Sequence, residues 1–238
     1  MDNIADVTFT GDAAGDYFGV SVSSAGDVNK DEYDDVIIGA SQNDAGGNSS
    51  GRAYLYFGGQ NMNNNADLIF SGAAKYDYFG ASVANAGDFN DDNYDDVVIG
   101  APGAIHAYVF FGDNNMNNIS DVNFTGEAAG DSYGCSVSGA GDVNKDGVDD
   151  LVVGAEYNAV AGKNAGRAYL YLGGYNMDNS SDVVFTGTST GTVGDCLGHS
   201  VSNAGDINND SYDDVIISAV GRQSVLDGPG YAYVFLEI

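Results

Sequence analysis

Asp27, Asn29, Asp31 and Asp35 stand at positions 1, 3, 5 and 9 of a nine-residue stretch that recurs three more times along the chain. The other copies supply Asp88, Asn90, Asp92 and Asp96, then Asp142, Asn144, Asp146 and Asp150, then Asp206, Asn208, Asp210 and Asp214. Each copy reads D-x-N-x-D-x-x-D-D and runs at once into aliphatic residues such as Val36-Ile-Ile. Oxygen donors at this spacing suit a hard divalent cation. Calcium takes about six to eight oxygens in a flexible shell, whereas magnesium prefers a small octahedral shell that keeps several waters. Three carboxylates around one point also repel one another strongly unless a cation lies between them. The expected cofactor is therefore Ca2+, about four ions, one per copy. Acidic solvated turns without metal are the plainer alternative. An EF-hand would need an acidic ligand at position 12, and position 12 here is Ile38, Ile99, Val153 or Ile217. That excludes it.

The copies need not bind equally. Position 6 makes the sharp turn and favours glycine or another residue that tolerates a left-handed backbone. Gly147 and Asn93 suit that position better than Glu32 and Ser211, so the second and third copies are expected to bind more tightly.

Around each acidic stretch lie four strand signals. The first is Tyr17 to Ser23, matched by Tyr78 to Ala84, Ser132 to Ser138 and Cys196 to Ser202. The aliphatic second signal follows the acidic loop directly, from Asp35, Asp96, Asp150 and Asp214. An aromatic, alternating third signal begins at Ala53, Ala107, Ala168 and Ala232, and a short fourth one begins at Asp67, Asp121 and Asp182. Period-2 alternation dominates and no 3.6-residue period is sustained, so the chain reads as all-β. Four short antiparallel strands repeated radially are the signature of a β-propeller blade. The expected fold is one domain, 1–238, of four four-stranded antiparallel blades, at about 11–71, 72–126, 127–187 and 188–238 plus 1–10. Residues 1–10 enter the last blade because Asp6-Val-Thr-Phe-Thr is a fourth-type strand without a first, and Tyr231 to Phe235 is a third without a fourth. Pairing them would hide open edges. A fragment of a longer array is the alternative.

Composition narrows the function. The chain has 238 residues, 43% of them hydrophobic, which is enough for a sizeable core. It carries 35 glycines, two prolines and a formal charge of −28 with only seven Lys and Arg. Nucleic-acid binding needs clustered cations and is excluded on that count. Four divalent ions would still leave the charge near about −20, a balance suited to a salty or calcium-rich setting. No apolar run is long enough to span a bilayer. Met1-Asp-Asn opens without a signal peptide, so an export signal would lie outside this sequence. Cys135 and Cys196 occupy unmatched repeat positions, which argues against a disulfide framework.

Phe18-Gly19, Ala25-Gly-Asp-Val-Asn, Asp34-Asp-Val-Ile-Ile-Gly-Ala, Phe79-Gly80 and Gly100-Ala-Pro102 resemble the FG-GAP repeat of integrin α-subunit propellers and related extracellular proteins. The resemblance covers nearly the whole chain. It implies a propeller with calcium loops in the hairpins between first and second strands, in proteins that act in adhesion or ligand binding outside the cell. It also adds a backbone carbonyl ligand at position 7, from Tyr33, Tyr94, Val148 and Tyr212. The chain departs from the family in having four repeats where seven blades are general. Phe-Gly becomes Tyr133-Gly and Leu197-Gly, and only Gly100 to Pro102 keeps the full GAP.

Other residues read more blandly. Ser21, Ser82, Ser136 and Ser200 recur in every unit and never complete G-x-S-x-G, so they are packing residues rather than nucleophiles. His106 and His199 are unmatched, and no shared base is expected. Asn48, Asn118 and Asn179 begin sequons that a chain rich in Asn and Ser produces by chance. The tyrosines at 54, 56, 108, 169 and 171 read as inter-blade core rather than a sugar-stacking surface. Loops 42–50, 156–164 and 223–230 differ between units and are the better binding candidates. The sequence thus points to a secreted or cell-surface, non-enzymatic interaction or adhesion module with an extracellular protein or glycan ligand. A carbohydrate-binding propeller is one alternative. A structural subunit that self-associates through its N-terminal strand is another.

Overall fold

The computed structural model describes residues 4–175, 177–189, 194–221 and 229–236. Among them are fifteen β-strands and no helix. The first sheet is β1 (Phe18–Gly26), β2 (Asp35–Ala40), β3 (Arg52–Tyr56) and β4 (Leu68–Ser71). The second is β5 (Ser82–Gly87), β6 (Asp96–Ala101), β7 (His106–Phe110) and β8 (Val122–Thr125). The third is β9 (Tyr133–Gly141), β10 (Asp150–Ala155), β11 (Arg167–Tyr171) and β12 (Val183–Thr186). The fourth holds β13 (Leu197–Gly205), β14 (Asp214–Ala219) and β15 (Tyr231–Phe235). Within each sheet, strands adjacent in sequence pair antiparallel, in the order expected for successive blades.

Alternation along each strand sends one set of side chains to the preceding sheet and the other to the following sheet. Ile37, Leu55 and Phe70 of the first sheet meet Val83, Ile99 and Phe110 of the second. Val98, Val109 and Phe124 meet Val153, Tyr169 and Tyr171 of the third. Val152, Leu170 and Phe185 meet Val201, Ile217 and Ala219 of the fourth. The cores therefore lie between sheets, and the inner strands pack in the sequence β1, β5, β9, β13. This arrangement is consistent with a β-propeller. The ring is not closed, because the first and fourth sheets do not pack on each other as neighbouring sheets do.

One expectation is corrected here. Among the described residues the fourth sheet has three strands, and residues 6–10 form no strand with β15. Those residues lie instead against the first sheet, where Phe9 sits 4.2 Å from the ring of Tyr56. The same contact recurs between sheets, as Phe70–Phe110 at 4.3 Å, Phe124–Tyr171 at 3.9 Å and Phe185–Phe235 at 4.3 Å. The Asn64 side chain donates to the Thr8 carbonyl just as that of Asn118 donates to Ile69. Residues 6–10 thus fill the place of a preceding blade's outer strand. Burying Phe9 draws the segment to the first sheet, while the hydrogen-bonding edge of β15 stays apart.

Candidate metal centres

Each acidic stretch is the hairpin loop between the first and second strands of its sheet. The side chains organise it by capping its own backbone, as Asp and Asn do in turns. In the first loop Asp27 accepts from the N–H groups of Asp31 and Glu32, at 3.0 and 2.9 Å. Asn29 Oδ1 accepts from the same Asp31 N–H at 2.9 Å, and its amide donates to Asp31 at 3.2 Å. Asp31 accepts in turn from Tyr33 N–H at 3.1 Å. Oxygens from positions 1, 3 and 5 are thereby gathered at the exposed loop tip.

The other loops repeat this frame. Asp88, Asn90 and Asp92 accept from Asp92, Asn93 and Tyr94 N–H. Asp142, Asn144 and Asp146 accept from Asp146, Gly147 and Val148. Asp206, Asn208 and Asp210 accept from Asp210, Ser211 and Tyr212.

Position 9 is different. Asp35 is fully buried and accepts from Val28 N–H at 3.1 Å and Gly58 N–H at 2.7 Å. Asp96 takes Phe89 and Gly112, and Asp150 takes Val143 and Gly173. Asp214 accepts from Ile207 at 3.0 Å. This carboxylate ties the loop to its own sheet. Burial pushes Asp35 up to about 6, Asp150 to about 7 and Asp96 to about 8, and the charges of the loop's other carboxylates push in the same direction.

The backbone is left-handed at position 6 in every loop, with φ of 74° at Glu32, 69° at Asn93, 92° at Gly147 and 76° at Ser211. Position 4 is left-handed as well, at Lys30, Asp91, Lys145 and Asn209. The motif's Asx turns require that second site, which Asp91 and Asn209 suit by residue type and Lys30 and Lys145 do not.

Among the described residues, no three His, Cys, Asp or Glu side chains converge as a metal-holding group. The donors at positions 1, 3 and 5 are nonetheless all oxygen, as a hard cation requires, while the third carboxylate, at position 9, is held by backbone N–H groups of its own sheet. The residues present fit calcium by donor chemistry.

Position 8 carries a role that the spacing alone left unassigned. Asp95 accepts from Asp27 N–H across the gap to the preceding sheet at 2.7 Å. Asp149 does the same for Asp88 at 2.9 Å, and Asp213 for Asp142 at 3.0 Å. Gly26, Gly87 and Gly141 lie so close to these carboxylates that a Cβ would overlap them. The doubled Asp-Asp in all four copies was the available signal. One carboxylate holds its own loop and the next holds its neighbour's.

The remaining candidates fall into place. Ser21, Ser82 and Ser136 accept from Val83, Val137 and Val201 N–H of the next sheet, at 3.0 to 3.1 Å. Tyr169 and Tyr171 are buried between the second and third sheets, Tyr54 and Tyr56 are buried on the first sheet beneath Phe18 and Phe9, and Tyr108 is half-buried. His106 Nδ1 lies 3.0 Å from Thr125 Oγ1, and His199 Nδ1 lies 2.7 Å from Glu156. Cys135 and Cys196 are thiols rather than a disulfide. Loops 42–50 and 156–164 join second to third strands, so they stand at the end of the sheets opposite the acidic loops. Sequence reading missed their anchors. Asn43 donates to Asp16 at 2.6 Å, and Asn158 to Asp131 at 2.8 Å, both buried. Of the third such loop, residues 222–228 lie outside the described residues.

Comparison with known proteins agrees with this geometry. The FG-GAP repeat model matches residues 18–56 and 136–171, and the FG-GAP-like repeat model matches 88–153. Integrin alpha-5 of Xenopus laevis is 34% identical over 164 residues, covering 62% of this chain and 15% of that protein. Integrin alpha-11 of Mus musculus is 35% identical over 165 residues, covering 63% and 13%. Integrin alpha-6 of Homo sapiens is 34% identical over 155 residues, covering 64% and 14%. The chain thus spans only about a seventh of the length of these curated relatives. With the repeats matched by family model and the motif residues in their expected hairpins, the chain belongs to the FG-GAP repeat proteins and is similar in sequence to the α subunits of integrins.

Proposed function

We propose that this chain is a calcium-binding propeller module that works outside the cell, without catalysis, as an interaction or adhesion unit. The observation that carries the reading is the fourfold recurrence of one hydrogen-bond frame, which gathers oxygens of positions 1, 3 and 5 at each loop tip. Asp27, Asn29 and Asp31, with the Tyr33 carbonyl and Asp35, would hold the first ion. The corresponding residues from Asp88 to Asp96, Asp142 to Asp150 and Asp206 to Asp214 would hold the others. A bound cation supplies positive charge where carboxylates otherwise repel, and its binding free energy adds to the stability of the folded state.

The role of the ion is then structural. In the first three loops it fixes the hairpin whose first residue is stapled to the next sheet, so each of those sites would stiffen a joint between blades. The opposite end of the sheets, with loops 42–50 and 156–164, is left to meet an extracellular protein or glycan. The resemblance to integrin α subunits supports the setting and the class of role.

Thermal unfolding tests the proposal. Excess EDTA should lower the melting temperature markedly and added calcium should restore it, with magnesium at the same concentration restoring less. An identical melting curve in EDTA and in calcium overturns the proposal.

A further inference from the structure

We propose that the two open ends of this arc bind each other between two copies of the chain, with residues 6–10 of one copy supplying the fourth strand beside β15 of the other. Each of the three built joints uses the same set of contacts, and the unmade halves of that set stand on the open faces of the first and fourth sheets.

Val83, Val137 and Val201 are each 5% exposed against the preceding sheet, whereas the equivalent Val22 is 64% exposed. Leu55, Val109 and Leu170 are 0% exposed against the following sheet, whereas the equivalent Val234 is 42% exposed. Asp95, Asp149 and Asp213 each accept a backbone N–H from the preceding loop. The equivalent Asp34 is exposed. Gly26, Gly87 and Gly141 are crowded by those carboxylates, yet around the equivalent Gly205 there is open space. Residues 6–10 already sit on the first sheet as a preceding blade's outer strand would, through Phe9 on Tyr56.

Docking the first sheet of one copy on the fourth sheet of another makes all these halves meet. Val22 and Val234 become buried, Asp34 accepts from Asp206 N–H, and residues 6–10 fall along β15. The register of the first sheet, where Arg52, Ala53, Tyr54 and Leu55 face Ser71, Phe70, Ile69 and Leu68, then sets Tyr231, Ala232, Tyr233 and Val234 opposite Thr10, Phe9, Thr8 and Val7. An exposed strand edge is a ready template for such pairing. The contact is heterologous, and made once at each end it would join two copies in a ring.

One position does not repeat. Gly39, Gly100 and Gly154 pass so close to a carbonyl of the next sheet that no Cβ fits, and Ser218 takes their place in the fourth. The docked joint is wider there, and Ser218→Gly is expected to tighten it.

Sedimentation of the whole chain in calcium, at about 0.15 M salt to screen two chains of like charge, tests the proposal. The expected mass is twice the 24.5 kDa of one chain, falling towards one chain on dilution. Val22→Asp and Val234→Asp, both at exposed positions that leave the fold intact, should each weaken association at least tenfold. An equimolar mixture of the two should re-form dimers, because one joint in that pair keeps both native valines. A single-chain mass at every concentration overturns the proposal, and so does a mixture that stays monomeric while the native chain dimerises.

Discussion

Asp149 reaches across from the third sheet to accept the backbone N–H of Asp88, 2.9 Å away, at the first residue of the second acidic loop. Its neighbour Asp150 turns the other way and accepts from Val143 and Gly173 of its own sheet. Adjacent carboxylates thus couple loop order to blade packing, so whatever steadies a loop also steadies a joint.

That coupling sets the cost of losing the staple. Asp149→Ala leaves the Asp88 N–H without its charged acceptor and should destabilise the chain by about 2 kcal/mol. Asp34→Ala, at the equivalent but exposed position of the first sheet, should change single-chain stability by less than about 0.5 kcal/mol. Urea unfolding at low protein concentration measures both. Equal losses would show that the cross-sheet bond carries no weight.

Position 6 of the first loop is the place to gain affinity. Glu32 holds φ at 74°, which an L side chain adopts at a cost of about 1 kcal/mol, and glycine would remove that cost. Glu32→Gly should therefore tighten the first site roughly fivefold, read by calorimetry in a background where the other loops carry Asp→Ala changes. The same series should rank the native second and third loops, with Asn93 and Gly147, above the first and fourth. Uniform affinities would contradict the backbone argument.

At the opposite end, Asp131 titrates above the usual carboxylate range because burial disfavours its charge, while the Asn158 amide pulls it back. Its folded pKa is raised, so the folded chain holds this proton more tightly than the unfolded chain does. The group then favours folding at low pH, and that contribution is lost as pH rises through its folded pKa. Asn158→Leu should shift the Asp131 carboxyl titration further upward, measured by NMR at the side-chain carbon. A downward shift would reverse the assigned roles.

The sheets were readable in the chain because period-2 alternation and the acidic hairpins repeat four times, and repetition separates pattern from accident. The acidic stretches were readable as hairpin loops for the same reason. What escaped was whatever depends on a neighbour in space. The Asp95, Asp149 and Asp213 staples sit beside position 9 in sequence but act on another sheet. Asn43 and Asn158 look like ordinary loop residues until burial places Asp16 and Asp131 against them. The misplaced element, residues 6–10, has the composition of an outer strand but forms no strand in the structure. Which sheet it joins is decided by Phe9 packing on Tyr56, a contact between residues far apart in the chain. The left-handed turn at position 4 is likewise imposed by hydrogen-bond closure at Lys30 and Lys145, whose residue type does not favour it.

Calorimetric titration of calcium into metal-stripped chain bears most directly on the central claim that the four acidic hairpins are cation sites. The account predicts saturable heat at about four ions per chain, lost one site at a time as Asp27, Asp88, Asp142 and Asp206 are changed to Ala. Absence of saturable heat, or a stoichiometry unmoved by those four substitutions, would contradict it.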